Sequence, residues 1–239
     1  MEVVLKIILI ACLSYLIGSI PTAIIISKRF FGFDIRTKGS GNMGSTNAFR
    51  LLGWKWGLFV QIADILKGYL AVVLVAGFIG EGLIFPNITM FEHITLLKIL
   101  AGIFAVVGHI WSVFAGFKGG KGVNTAAGML IGLAPYDVLI AASLFALTVI
   151  FSGYISLGSI MAAFSIPSSM IVRYNIFGAD IPGYGILIYF AVGLMVLVFY
   201  THRANIKRLL NGNENKFSKL QLFKRKPRTA EIPTDKDKN

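Results

Sequence analysis

Charge is scarce in this chain and cysteine is nearly missing. Asp, Glu, Lys and Arg make up 14% of the 239 residues, against roughly a quarter in soluble domains. That scarcity excludes an ordinary water-soluble globule, and a disordered chain would need more charge still. Cys12 is the single cysteine, so neither an intramolecular disulfide nor a cysteine-clustered metal centre is available. His93, His109 and His202 are scattered, and none has an aspartate five residues on. A Ser-His-Asp elbow, a paired-histidine zinc motif and a close pair of carboxylates are all missing. The sequence therefore predicts no metal site and no cofactor, and chemistry resting on anion binding and positioning rather than on a protein nucleophile. No repeat of fixed period marks a solenoid.

What fills the chain instead is apolar surface. Hydrophobic residues reach 56% and mean hydropathy is +0.75. Apolar segments fall at about 3–27, 57–80, 96–117, 125–151, 154–172 and 184–200, near the ~20 residues that a ~30 Å hydrocarbon core demands. This predicts an all-α polytopic membrane protein. The run from Ile7 to Ser27 is long for a signal peptide and lacks a clear cleavage site, so it reads as a retained first span. Residues 1–216 read as a single membrane-embedded domain, and 217–239 as a flexible basic cytoplasmic tail.

The few charges are strongly one-signed, with 23 Lys and Arg against 11 Asp and Glu. Six cations lie in loop 28–55, two in the FKGGKG stretch and eleven beyond His202, which is 19 of the 23. Loop 81–95 has Glu81 and Glu92 and no cation. Positive-inside bias puts the three basic segments in the cytoplasm and loop 81–95 outside. A basic cytoplasmic tail is compatible with that only if 125–151 is broken, and Pro135-Tyr136-Asp137 offers the break. The first piece, about 125–134, rises only ~15 Å and is a half-length or re-entrant helix. Counting it as a span gives seven, with the N-terminus outside and the C-terminus cytoplasmic. If it dips and returns, five full crossings leave the tail on the same side.

Three of these cytoplasmic segments could carry chemistry. In Thr37-Lys-Gly-Ser-Gly-Asn-Met-Gly-Ser-Thr-Asn47, Gly39, Gly41 and Gly44 let backbone N–H groups approach an anion. Ser40, Asn42, Ser45, Thr46 and Asn47 add uncharged donors, and Arg50 closes the segment. The same composition also suits a flexible connector. In Gly116-Phe-Lys-Gly-Gly-Lys-Gly-Val-Asn-Thr125, Gly119, Gly120 and Gly122 surround Lys121 and make a compact anion clamp. A positive-inside turn would need the lysines but not the glycines. In His202-Arg-Ala-Asn-Ile-Lys-Arg-Leu-Leu-Asn-Gly-Asn-Glu214, helical spacing aligns His202, Asn205 and Leu209, with Arg208 beside Asn205 and Glu214 anchoring local cations. A basic amphipathic helix on anionic lipid fits equally.

Charges within spans also need partners. Asp64 and Lys67, three apart, predict an internal ion pair. Arg173 and Lys98 sit where they can snorkel. His109 suits an interhelical hydrogen bond as well as catalysis, and Ser156 and Ser159 fall near a cytoplasmic turn.

Taken together, Gly18-Ser-Ile-Pro-Thr22, Gly39 to Asn47, Gly108-His109 with Gly116 to Thr125, and His202 to Gly212 resemble the bacterial acyl-phosphate:glycerol-3-phosphate acyltransferase family. The motifs match in order and spacing over nearly the whole chain except the tail. Met43, Ser45, Trp111-Ser112 and Asn124 depart from common family residues without removing a glycine or cation. The resemblance implies a seven-span enzyme of the bacterial inner membrane with its site at the cytoplasmic face. Acyl phosphate and glycerol 3-phosphate would be its substrates, and 1-acyl-glycerol 3-phosphate and phosphate its products. Ser40, Arg50, Lys121, His202 and Asn205 would carry catalysis. Gly39, Gly41, Asn42, Gly44, Thr46, Asn47, Gly119, Gly120, Gly122, Thr125, Ser156 and Arg208 would line the substrates. Membrane lipid is the expected surrounding, with no nucleic acid and no obligate protein partner, and a monomer is expected. An organic-phosphate transporter would instead place its cations at mid-bilayer, and a lipid-binding anchor would need only the tail. A CDP-alcohol phosphotransferase would show clustered aspartates, but only Asp34 and Asp64 precede Asp137.

Overall fold

The computed structural model describes residues 2–84, 92–214 and 216. The expected tail, 217–239, lies outside the described residues, as does part of the acidic loop. Among the described residues the secondary structure is helical throughout. In chain order the helices are α1 (Glu2–Ser19), α2 (Thr22–Phe31), α3 (Ser45–Leu52), α4 (Trp54–Leu70), α5 (His93–Ile110), α6 (Val123–Leu133), α7 (Pro135–Ser152), α8 (Ile155–Asn175), α9 (Tyr184–Thr201) and α10 (Arg203–Leu210). A π-helical turn, Ala71–Ala76, and a last turn, Gly77–Gly80, prolong α4. Five segments are long and apolar enough to cross a membrane, and α9 with α10, bent by 58°, makes a sixth if counted as one span. Many large apolar side chains face outward along these helices, Leu5, Phe59, Leu139 and Tyr189 among them, which is the surface a protein presents to lipid.

Two breaks organise the bundle. The one expected at Pro135 is present: α6 ends at Leu133 and Pro135 opens α7 at its first position, where a missing N–H costs nothing. The other was not foreseen. The first apolar segment divides at Pro21, because proline lacks an N–H and disfavours helical geometry at Ile20. Carbonyls freed there find side-chain donors: Ser112 Oγ donates to Ser19 O, and Lys67 Nζ to Ile20 O.

Helix pairs meet through small residues. A Cβ on Gly18 would strike the Ala105 carbonyl, and one on Gly108 the Tyr15 carbonyl, so α1 and α5 touch backbone to backbone. Gly68 and Gly128 do the same for α4 and α6, against Thr125 and Ile65. Where lipid is as apolar as leucine, such close approach is what holds helices together. Farther along the chain α7 packs on α8 and α8 on α9. A core of Val72, Ile99, Met129, Met170, Ile181 and Leu187 joins the two halves.

Two of the intramembrane cations, Lys67 and Arg173, are paired. Lys67 Nζ lies 2.7 Å from Asp64 Oδ1, and both side chains are buried. Arg173 does more than snorkel: its Nη1 is 2.6 Å from Oδ2 of fully buried Asp137, which also accepts from Ser169 Oγ. Asp137 therefore does not merely mark a break. It neutralises an arginine 36 residues away, a pairing that helical periodicity does not encode.

Candidate functional site

Loop 28–55 is a folded structure rather than an open connector. Asp34 caps a short turn, Ile35–Thr37, by accepting from Arg36 N–H. The Arg36 guanidinium returns to both Asp34 oxygens, and its Nη1 donates to the Ala115 carbonyl at 2.8 Å. The loop is thereby tied to the segment after α5. The guanidinium holds the Asp34 carboxyl well below the usual carboxylate range, against the opposing effect of burial, while Lys28 adds a further hydrogen bond.

Asn47 organises the glycine-rich segment from inside. Its Oδ1 accepts from Ser40 N–H, and its Nδ2 donates to the carbonyls of Ile35, Lys38 and Asn42 at 3.0–3.2 Å. Gly44 N–H goes to Asn42 Oδ1 and Gly41 N–H to Lys38 O. The backbone donors of Ser40, Gly41 and Gly44 are thus consumed within the loop, contrary to the expectation that they face an anion. Gly39 (φ +62°) and Gly41 (φ +70°) are needed for the left-handed turns themselves.

The FKGGKG segment is corrected in the same way. Gly119 N–H donates to Ile110 O and Gly120 N–H to His109 O, both at 3.0 Å. These glycines let the loop lie against the last turn of α5, where a Cβ on either would collide with His109. Phe117 holds a left-handed φ of +60°, a strain of about 1–2 kcal/mol, and its N–H donates to Ser112 O at 2.7 Å. Thr125, expected to meet substrate, is fully buried where α6 packs on Gly68.

What these two loops enclose is a cavity of about 340 Å³, lined on one side by Ser40, Asn42, Gly44 to Asn47 and Arg50, and on the other by Lys121 to Asn124. Asn124 Nδ2 donates to Ser45 Oγ at 2.9 Å and joins the two walls. Helices α3 and α6 both begin at its edge, and their first N–H groups have no partner within the helix. Two helix N-termini and two cations, Arg50 and Lys121, therefore converge on one space. Neither cation makes an ion pair with a described residue. Such a cavity attracts a phosphate. Its floor is one the motifs did not foresee: Asp64 and His109, both almost fully buried. His109 Nδ1 lies 3.8 Å from Asp64 Oδ1 and has no hydrogen-bond partner among the described residues.

His202 and Asn205 line a different cavity, about 320 Å³, with Ile155, Ser156, Ser159, Glu214 and Lys216. The two cavities share no lining residue: Arg50 and Lys121 line the first, His202 and Asn205 the second. Glu214 ties the second cavity together. Its Oε1 accepts from Ser156 Oγ at 2.9 Å and Asn205 Nδ2 at 2.8 Å, and its Oε2 from Arg208 Nε at 2.7 Å. The Asn205 amide and then the Arg208 guanidinium hold its carboxyl below the ordinary value. Arg208 is thus engaged with Glu214. His202 stands at the bend before α10, its Nδ1 2.9 Å from Val198 O. Among the described residues no three His, Cys, Asp or Glu side chains gather to hold a metal.

The model of one protein family, glycerol-3-phosphate acyltransferase, matches residues 8–212. This chain belongs to the glycerol-3-phosphate acyltransferase family. It is 47% identical to the glycerol-3-phosphate acyltransferase of Chlorobaculum tepidum over 226 residues, 87% of this chain and 95% of that one. With its counterpart from Chlorobium phaeobacteroides it is 46% identical over 232 residues, 89% and 97% of the two chains. The fold is similar to crystal structures of PlsY (YgiH), an integral membrane glycerol 3-phosphate acyltransferase. The glycerol 3-phosphate form has a TM-score of 0.64 and 34% identity, over 88% of this chain and 95% of that one. The lysophosphatidic acid form has 0.63 and 32%, over 90% and 95%. All three motif segments, up to Gly212, fall inside the family match.

Proposed function

We propose that this protein transfers a fatty acyl group from acyl phosphate to the 1-hydroxyl of glycerol 3-phosphate. The products are 1-acyl-glycerol 3-phosphate and phosphate, and this is the first acylation of phospholipid synthesis. The observation that carries the reading is the cavity where Arg50, Lys121 and two helix N-termini converge without an internal counter-ion at its rim. Family membership supports it, as do relatives solved in glycerol 3-phosphate and lysophosphatidic acid forms. Two phosphate-bearing substrates must meet, and two cavities with cationic or amide linings are available for them.

Acyl phosphate is a mixed anhydride whose phosphate is already a good leaving group. The glycerol hydroxyl attacks the acyl carbon, the carbon–oxygen bond to phosphorus breaks, and the hydroxyl proton passes to the departing phosphate. No acyl-enzyme forms, in keeping with the lack of a Ser-His-Asp or Cys-His arrangement. Arg50 and Lys121 hold the phosphate of glycerol 3-phosphate in the first cavity, with Ser40 and Thr46 as hydroxyl donors. His202, Asn205 and Ser156 position the second substrate, while Arg208 acts through Glu214. Positioning of this kind is worth several orders of magnitude in rate.

The positive-inside bias supports an outside N-terminus and the site at the cytoplasmic face of the bacterial inner membrane, with seven spans when α6 is counted as the short one. The test is purified protein with glycerol 3-phosphate and, in turn, acyl phosphate, acyl-CoA or acyl carrier protein as donor. Product is expected from acyl phosphate alone. Product from acyl-CoA and none from acyl phosphate overturns the donor assignment. A chain ending after Lys216 is expected to retain activity, whereas a lipid anchor working through the tail would lose its function.

A further inference from the structure

Beneath the rim of the first cavity lies a group that the reaction above leaves without a task. His109 is almost fully buried in the last turn of α5 and lines the cavity floor with Asp64. One edge of its ring faces Asp64, with Nδ1 3.8 Å from Oδ1. Asp64 is fixed in turn by Lys67 at 2.7 Å, and the Lys67 ammonium is anchored on the Ile20 carbonyl at the Pro21 break. The opposite edge, Nε2, lies directly under Gly120. A Cβ built there would collide with Nε2 and come within 2.9 Å of Cδ2 and 3.1 Å of Cε1. Gly120 N–H also donates to the His109 carbonyl at 3.0 Å. Both the ring and the backbone of one residue thus meet the glycine that immediately precedes Lys121.

We infer that His109 is a positioning residue: its ring is a strut between the Asp64–Lys67 pair inside the membrane and the loop that presents Lys121 to phosphate. The inference rests on the acyltransferase reading for its substrate, but its geometry does not depend on that reading. Nε2 packs against Gly120, so the ring bears directly on the loop that presents Lys121. Asp64 stands at the Nδ1 edge, and the ring sets how deep Gly120 sits and hence where the Lys121 ammonium reaches. Asp64, Arg50 and Lys121 line the same cavity as His109, and Lys67 pairs with Asp64.

A side-chain swap tests the strut. His109→Ala is expected to raise KM for the phosphate substrate by about 10- to 100-fold, the scale of an ångström-sized misplacement, with a smaller fall in kcat. His109→Gln, which reaches nearly as far and keeps polar atoms, is expected to recover most of that loss. Gly120→Ala is expected to raise KM comparably by pushing the ring aside. The double variant should be no worse than the worse single one, because removing the ring makes room for the new methyl group. Glycerol 3-phosphate affinity, measured calorimetrically on monodisperse protein, provides a readout independent of turnover and should follow the same order. Unchanged KM and affinity in His109→Ala, with only a smaller active fraction, overturn the inference. So do effects of the two substitutions that multiply. Wild-type protein that binds glycerol 3-phosphate but does not use acyl phosphate overturns the donor reading, and the strut is then judged on affinities alone. Wild-type protein that binds no glycerol 3-phosphate overturns both.

Discussion

Around the first cavity, Asn47 alone joins four backbone positions, Asp34 and Arg36 bind the loop to Ala115, and Asn124 joins Ser45 across the opening. Around the second, Ser156, Asn205 and Arg208 all meet at the single carboxylate of Glu214. The first cavity is fixed redundantly by hydrogen bonds distributed over two loops, and its two cations make no ion pair with a described residue. Among the described residues, the side-chain hydrogen bonds of Ser156, Asn205 and Arg208 at the second converge on one carboxylate, beside a helix, α10, that has no buried residue. Similar composition, rich in asparagine, glycine and cations, thus produces distributed bonding in one place and bonding that converges on one carboxylate in the other.

The sharpest way to separate the roles within the first cavity is Lys121→Met. The cation does not support the fold, so about a 10²- to 10³-fold loss in kcat/KM is expected, the scale seen for removal of one preorganised electrostatic donor. The melting temperature should be unchanged. Asn47→Asp should break the wall instead: a buried carboxylate would face three carbonyls that now accept from an amide. About 3–5 kcal/mol of destabilisation is expected, read as a fall of several degrees or more in melting temperature, while Asn47→Ala should cost about 2–3 kcal/mol. For the second cavity, Glu214→Ala should release Ser156, Asn205 and Arg208 together and lower activity by about 10-fold or more, as misplacement does. Its pH dependence has a definite sign. Because the folded pKa lies below the ordinary 4.5, the tether is intact above that value and is lost as pH falls through the folded value. Thermal melts of the wild type should therefore weaken on the acid side of 4.5, and Glu214→Gln should lack that step. The smallest effect is expected from Ser45→Ala, which removes one of several bonds around the first cavity. It should cost about 1 kcal/mol and shift kcat/KM only a few-fold.

How much of this was legible in the sequence differs element by element. The break at Pro135 and the Asp64–Lys67 pair follow from local chemistry: a missing N–H in one case, three-residue helical spacing in the other. The cations Arg50 and Lys121 were also readable, because charge beside clustered glycine has few other uses at the mouth of a span. The glycines themselves misled. Gly119 and Gly120 serve close contact with His109, and nothing in their sequence spacing distinguishes a backbone donor aimed at phosphate from one aimed at a neighbouring carbonyl. Asn47 has the same ambiguity, since an asparagine in a glycine-rich loop can bind a ligand or staple the loop, and only the fold shows its amide spent on three carbonyls. Asp137 with Arg173 and Asp64 with His109 were out of reach for another reason. They are contacts between separate helices, set by small-residue packing and not by any local period. The division of the cationic motifs into two cavities has the same origin.

The proposed reaction uses both cavities. The most direct measurement is the initial rate of acyl transfer from acyl phosphate to glycerol 3-phosphate by purified wild type, Lys121→Met and Asn205→Ala, assayed side by side. Equimolar 1-acyl-glycerol 3-phosphate and phosphate are expected from the wild type, and a loss of about 10²-fold or more in each variant. Full turnover by either variant would contradict the use of both cavities.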